Sequence, residues 1–178
     1  AWYRNLRIVA KLMIGFLLVA CTTAAVGYIG ITNVKEVDRS AGAMYNYMAV
    51  PIATLGEISI TYHRIRVNSR DVLLATTQEE RQAKINRIAE LTKELEKLNS
   101  FFEKNAINPV VKQAFDDYNK KLQVYLPILN QSVSLAKAGQ TAEAKGVLDA
   151  NLKAATDLQT AIDKMIDMKT DDAKKAAE

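Results

Sequence analysis

The residues with the clearest chemical potential in this sequence lie in the stretch HRIRVNSR, residues 63–70. Arg66 and Arg70 are four residues apart, so in a helix they share one face, whereas Arg64 lies on another. Two guanidinium groups placed this way can hold a carboxylate through bidentate, charge-assisted hydrogen bonds. The spacing therefore predicts a binding site for an organic acid. The alternative is that both arginines are solvated or paired with a glutamate on a neighbouring helix.

Aromatic and imidazole side chains give weaker signals. Tyr118 and Tyr125 are candidate ligand-binding residues, but they also fit an apolar helical seam, where burial of the ring is the commoner explanation and each hydroxyl still needs a partner. His63 is the only histidine, and no second histidine, cysteine or carboxylate cluster has the spacing of zinc ligands. We expect no metal and no cofactor.

Composition argues against several classes of function. The sequence has no Gly-rich phosphate loop and no nucleophile beside a base, so we expect no enzymatic activity. The 24 basic and 20 acidic residues are interspersed and give a net charge of +4, which does not indicate a nucleic-acid partner. Cys21 is the only cysteine, so we expect no intramolecular disulfide.

An uncharged run at residues 12–34 predicts a transmembrane helix. A helix of this length covers roughly 30 to 35 Å, enough to cross the hydrocarbon core of a bilayer. The leader at residues 1–11 carries Arg4, Arg7 and Lys11 without an acidic residue, which favours a cytoplasmic N-terminus and places residues 35–178 outside the cytoplasm. The alternative is a cleaved signal peptide, although those usually have a shorter apolar stretch.

The rest of the chain predicts an all-α domain. After residue 34, apolar residues recur at alternating spacings of three and four, as in a helix that buries one face. This first seam is apolar at all positions but Pro51 and Ser69, and it comprises Val37, Ala41, Met44, Met48, Pro51, Leu55, Ile58, Tyr62, Ile65, Ser69 and Val72. Pro51 should bend the first helix without ending it. Similar seams follow at Ile88 to Phe102, Val111 to Ala136 and Leu148 to Met165.

Capping residues separate four predicted helices, at about residues 35–75, 78–104, 109–138 and 142–178. Thr77 and Glu80 form a capping box, Asn108 and Pro109 begin the third helix, Gly139 ends it, and Thr141 caps the fourth. Short connections make neighbouring helices antiparallel, so we predict an up-down-up-down antiparallel four-helix bundle preceded by a transmembrane helix. The sequence ends at DDAKKAAE without a second apolar run, and we expect it to be a fragment cut before a second transmembrane helix.

Four features together resemble the periplasmic ligand-binding domain of methyl-accepting chemotaxis receptors. They are the leader NLRIVAKLMIGF, a first helix that follows the anchor without a break, the spaced arginines between Ile65 and Leu74, and the phrase LAKAGQTAEAKGVL. The resemblance implies a sensor in the bacterial inner membrane that forms a homodimer through its first helix. Such a sensor binds a small carboxylate or amino acid and passes a helix displacement through the membrane to a cytoplasmic kinase-control module.

The resemblance also implies site residues. Aspartate and serine receptors of this family place ligand-binding arginines on the corresponding part of the first helix, which favours Arg66 and Arg70, although the spacing in RVNSR departs from theirs. They use a polar residue on the fourth helix to meet the ligand amine, for which Thr156 and Thr160 are the nearest equivalents. Similar bundles occur on sensor histidine kinases and diguanylate cyclases, and some receptors sense through a periplasmic binding protein. A stalk that only dimerises or docks another protein is a further alternative.

Overall fold

The computed structural model describes residues 7–105 and 109–177, which are helical apart from short turns. The helices are α1 (Ile8–Met44), a π-helical stretch (Tyr45–Ala49), α2 (Val50–Leu74), α3 (Gln78–Asn105), α4 (Pro109–Lys137), α5 (Thr141–Ala150) and α6 (Leu152–Ala177). Within these described ranges there is no strand, and the predicted all-α class is confirmed. The chain divides into two compact units between Met44 and Tyr45.

The first unit is helix α1, and none of its residues is buried. It supplies the apolar part of a helical segment, Ile8–Leu74, that is long and apolar enough to cross a membrane. The hydroxyl groups of Thr22, Thr23 and Thr32 donate to backbone carbonyls of the preceding turn, at 2.8, 2.8 and 2.9 Å. Lipid offers no hydrogen-bond partners, so a helix inside a membrane must satisfy its polar groups with its own carbonyl and N–H groups. The assignment of residues 12–34 as the span stays a prediction.

The second unit is a four-helix bundle in which α2, α3, α4 and the pair α5 and α6 surround one core. Helix α2 packs mainly against α3 and α6, and α4 packs against α5 and α6. The predicted seams supply most of the buried apolar residues. From Pro51 onward the first seam is buried throughout. The other helices contribute Ile88, Leu91, Leu95, Phe102, Val111, Phe115, Tyr118, Leu122, Tyr125, Leu129, Ala136, Ala155, Leu158, Ile162 and Met165.

The helix ends follow the predicted capping residues in part. The backbone N–H of Glu80 donates to Thr77 Oγ1 at 3.1 Å, and the backbone N–H of Thr77 donates to Glu80 Oε2 at 3.4 Å, which confirms the capping box. Backbone bonds to this carboxylate lower the pKa of Glu80. The predicted cap at Thr141 is wrong: Thr141 is the first residue of α5, and Gln140 precedes it without a side-chain cap. Asn108 lies outside the described residues.

Gly139 ends α4 with φ at +83°, in the left-handed region that favours glycine. The N–H of Gln140 donates to the carbonyl of Leu135, and that of Gly139 donates to the carbonyl of Ala136, at 2.9 and 3.0 Å. These two bonds define a Schellman motif, which satisfies carbonyls at the end of the helix.

Pro51 lies two residues after the end of the π-helical stretch at Ala49. Proline has no N–H to offer the carbonyl four residues earlier, and its ring crowds that carbonyl. The wider turn of the π-helix relieves this crowding and lets α2 begin with Pro51 in its first turn. Pro51 therefore changes the local helical geometry.

The predicted fourth helix at 142–178 is wrong in one respect, because it is two helices separated at Asn151. Asn151 has φ −114° and ψ 23°, outside helical geometry. Its backbone N–H donates to the carbonyl of Leu148 at 3.3 Å, and its side-chain amide donates to the carbonyl of Val147 at 2.9 Å. Asparagine commonly competes with the helix for such backbone groups, and here this competition interrupts the helix.

Candidate functional site

The bundle brings three of the candidate residues to one cavity. Arg66 and Arg70 reach it from α2, and Tyr125 reaches it from α4. The remaining wall comes largely from the junction of α5 and α6. These further lining residues are Ser69, Ile128, Leu148, Asn151, Leu152 and Ala155. The cavity has a volume of about 40 Å³, which holds a few water molecules.

Tyr125 is 3% exposed, yet it lines this cavity. Its ring makes an edge-to-face contact with Tyr62, with centroids 5.4 Å apart and an interplanar angle of 75°. Burial raises the pKa of Tyr125 to about 12 against the opposing effect of Arg66 and Arg70, so the phenol is neutral at physiological pH. No hydrogen bond from its hydroxyl to another described residue is present, so this donor is available to a ligand.

Tyr62 does not line the cavity, but it contacts residues that do. Its hydroxyl donates to the carbonyl of Ala155 at 2.7 Å and thereby ties α2 to α6. Burial raises the pKa of Tyr62, so this donor keeps its proton. The guanidinium carbon of Arg66 lies 5.8 Å from the centroid of the Tyr62 ring, within the range of a cation–π contact. The aromatic ring thus supports the half-buried arginine.

The two guanidinium groups are not neutralised by the described part of the bundle. Neither Arg66 nor Arg70 forms an ion pair with another described residue, whereas Lys84 and Asp71 pair at 2.7 Å nearby. No glutamate of a neighbouring helix in the described ranges therefore pairs with Arg66 or Arg70, as the alternative interpretation had required. Arg64 is exposed and does not line the cavity.

The other predicted site residues lie away from this cavity. Tyr118 is fully buried, its ring stacks on Phe115 at 5.8 Å, and its hydroxyl donates to Asn99 Oδ1 at 3.1 Å. Burial raises its pKa. Thr156 and Thr160 are exposed, and their hydroxyls donate to carbonyls of α6 itself, at 3.1 and 3.0 Å. Neither threonine lines the cavity.

Sequence reasoning missed the polar residues that complete the wall. Ser69 interrupts the apolar first seam with a hydroxyl, which donates to the carbonyl of Arg66 at 2.8 Å. Asn151 was assigned to a continuous helix. At both Ser69 and Asn151, the sequence feature that could have indicated a role was a polar residue with high turn preference inside an otherwise apolar pattern.

A second, more apolar groove adjoins the cavity and shares Arg70, Leu148 and Leu152 with it. Its volume is about 340 Å³. Leu73 and Leu74 from the end of α2 form one side, and Thr141, Lys145 and Asp149 come from α5. The Lys145 ammonium and the Asp149 carboxylate form an ion pair within α5. The groove is thus apolar except at its edges.

Among the described residues, no group of three or more histidine, cysteine or acidic side chains could hold a metal ion. His63 is exposed on α2. The chemistry that the cavity does offer is recognition of an anion, by two cationic forks and one neutral phenol donor.

The bundle and this cavity fit a sensory role, and the comparison with protein families agrees. A family model described as a four helix bundle sensory module for signal transduction matches residues 5–178. The chain belongs to this family. No curated protein matches the sequence.

Proposed function

We propose that this chain is the extracytoplasmic sensor domain of a transmembrane chemoreceptor in the bacterial inner membrane, and that it binds a small organic acid. The observation that carries the proposal is the unpaired state of Arg66 and Arg70 beside the buried phenol of Tyr125. A carboxylate bound in the cavity would supply both guanidinium groups with a countercharge that no described side chain gives them. The family match supports signal transduction.

The size of the cavity supports a mechanism. At about 40 Å³ it does not admit an organic acid without movement of its walls. One wall is α2, and another is the junction of α5 and α6. A ligand that binds the arginines therefore favours a packing in which these helices are farther apart. We infer that α6, which also contacts the π-helical stretch at the start of the bundle, carries this displacement toward the membrane and a cytoplasmic kinase-control module.

We propose further that the sensor is a homodimer through α2. From Pro51 onward the predicted first seam lies in the core of the bundle, but α2 carries a second, outer stripe of apolar residues seven positions apart. Ile60, Val67 and Leu74 are 60%, 55% and 77% exposed. Such a heptad stripe matches the contact face of a helix that packs against a second copy of itself.

The test of ligand binding uses alanine variants of the two arginines. A charge-assisted pair contributes about 1.5 to 3 kcal/mol, so Arg66→Ala and Arg70→Ala should each weaken binding about tenfold or more. Arg64→Ala is the matched control, because Arg64 is exposed on the same helix and does not line the cavity. Calorimetry with a panel of dicarboxylates, aromatic acids and amino acids measures the affinities. Equal affinities in all four proteins would refute the arginine site.

The alternatives make different predictions in this experiment. A stalk that only dimerises or docks another protein binds no member of the panel. A receptor that senses through a periplasmic binding protein also binds none of them directly, but it captures the loaded binding protein. The complete gene sequence would distinguish the output module of a chemoreceptor from that of a histidine kinase or a diguanylate cyclase.

A further inference from the structure

The cavity and the neighbouring groove form a continuous surface with two chemical characters. Arg70 is exposed and belongs to both, as do Leu148 and Leu152. On the cavity side lie Arg66 and the Tyr125 hydroxyl. On the groove side lie Leu73 and Leu74. A ligand held by its anionic end at the arginines would therefore have an apolar surface within reach.

The groove is large enough to contribute to recognition. Its volume of about 340 Å³ falls within the usual range for small-molecule sites, in contrast to the cavity. Leu74 and Leu152 are 77% and 55% exposed, so covering them with an apolar group removes surface from water. An acid without an apolar body would leave this surface uncovered.

The cavity has no countercharge for an ammonium group. No aspartate or glutamate of the described ranges lines it. Asp149, on the groove, is already paired with Lys145. The neutral oxygens of Ser69 and Asn151 do not offset the repulsion between an α-ammonium group and two guanidinium groups. Thr156 and Thr160, the residues expected to meet a ligand amine, lie outside the cavity.

We propose, on the basis of the sensor function above, that the ligand is a monocarboxylate with an aliphatic or aromatic body and without an α-amino group. Its carboxylate binds Arg66, Arg70 and the Tyr125 hydroxyl. Its body covers the groove formed by Leu73, Leu74, Leu148 and Leu152. The site thereby discriminates against amino acids through repulsion, and against short acids through the unfilled groove.

The test uses probes that differ by one group. 3-Phenylpropanoate has the carboxylate and the ring, phenylalanine adds the α-ammonium group, propanoate lacks the ring, and 3-phenylpropan-1-ol lacks the charge. Binding is measured by calorimetry on the full 178-residue chain in lipid nanodiscs, with empty nanodiscs as the blank. We expect 3-phenylpropanoate to bind about tenfold or more tightly than each of the other three.

Two variants examine the groove itself. Leu74→Gln should weaken 3-phenylpropanoate about threefold and leave propanoate unchanged, because the glutamine removes part of the apolar surface. Val124→Gln is the matched control, since Val124 is 58% exposed on α4 and lines neither the cavity nor the groove. Both positions are exposed, so neither substitution disturbs the core.

The outcomes separate the two proposals. If phenylalanine or propanoate binds as tightly as 3-phenylpropanoate, and Arg70→Ala weakens that binding, the sensor function stands and the apolar monocarboxylate is refuted. If Leu74→Gln leaves 3-phenylpropanoate binding unchanged, the groove assignment is refuted. If no probe binds above the nanodisc blank, or if Arg66→Ala and Arg70→Ala bind every probe as tightly as the unmodified chain, the arginine site fails and this inference fails with it.

Discussion

At the scale of single residues, the central contrast is between two tyrosines of α4 that look alike in the sequence. Tyr118 and Tyr125 both lie on the apolar seam, and both are almost completely buried. The difference is the partner of the hydroxyl. Tyr118 donates to Asn99 inside the bundle, whereas Tyr125 lines the cavity beside the arginines. Burial keeps both phenols neutral, but the hydroxyl of Tyr125 is the one that remains able to donate to a ligand.

Substitution of Tyr125 should therefore change ligand affinity, whereas substitution of Tyr118 should change stability. Tyr125→Phe should weaken carboxylate binding about fivefold and change the free energy of unfolding little, because it removes a donor that no described residue uses. Tyr118→Phe should leave binding unchanged and destabilise the bundle by about 1 kcal/mol, because Asn99 loses its partner. Calorimetry and urea unfolding measure the two quantities. A loss of affinity in Tyr118→Phe equal to that in Tyr125→Phe would contradict the assignment.

At the scale of helices, the two glycines near the start of the fourth helical region have different roles. Gly139 has φ at +83° and closes the Schellman motif, whereas Gly146 lies inside α5 with ordinary helical geometry. An added Cβ meets no atom within 4 Å at either position, so steric crowding does not distinguish them. The difference between them is backbone conformation.

Alanine at these positions should change stability in opposite directions. Gly139→Ala should destabilise the bundle by about 1 kcal/mol, because a side chain disfavours the left-handed conformation. Gly146→Ala should stabilise it by about 0.5 to 1 kcal/mol, because alanine is the better helix former. Urea unfolding followed by circular dichroism compares the two variants with the unmodified chain. The same sign in both variants would show that the conformation of Gly139 is not what ends α4.

Most of the bundle was predictable from local chemistry. Most seam residues from Pro51 onward are buried because a spacing of three and four puts them on one helical face, and the box of Thr77 and Glu80 begins α3 as expected. The break at Asn151 was not predictable in the same way. It depends on whether a continuous helix or the hydrogen bond from the Asn151 side chain to the Val147 carbonyl has the lower free energy. The tertiary contacts around Asn151 decide between the two.

The candidate site was predictable in its charges and not in its shape. The spacing of Arg66 and Arg70 placed them on one face, and the structure brings Tyr125 to the same cavity. The expected contribution from Thr156 and Thr160 was based on the resemblance to aspartate and serine receptors. Instead, the junction of α5 and α6 presents Asn151 and Ala155 to the cavity. Which residues line the cavity depends on how the four helices pack, and the apolar pattern of one helix does not predict its contacts with the others.

At the scale of the whole molecule, the first question is orientation in the membrane. The basic leader favours a cytoplasmic N-terminus, and α1 contains the apolar segment that could span the bilayer. We therefore expect a reporter fused after residue 178 to be active outside the cytoplasm. Alkaline phosphatase and a cytoplasmic fluorescent protein at the same position give complementary readouts. Fluorescence without phosphatase activity would reverse the orientation, and loss of the leader from the mature chain would indicate a signal peptide.

The second question at this scale is how ligand binding and assembly influence each other. Leu74 belongs both to the outer stripe of α2 and to the groove beside the cavity. A ligand that covers the groove therefore lies next to the proposed dimer contact. By linkage, a ligand that binds the dimer more tightly than the monomer must strengthen dimerisation by the same factor.

The dimer prediction is tested on the compact unit that begins at residue 45, by sedimentation over a range of concentrations. We expect weak self-association that becomes stronger with ligand, because the membrane anchors that normally raise the effective concentration are absent. Ile60→Glu should weaken the association about tenfold or more, since it places like charges on the stripe of both copies. Val124→Glu is the matched control, because Val124 is similarly exposed on α4 and lies off the stripe. A monomer at millimolar concentration with and without ligand, or equal association of both variants, would exclude the contact through α2.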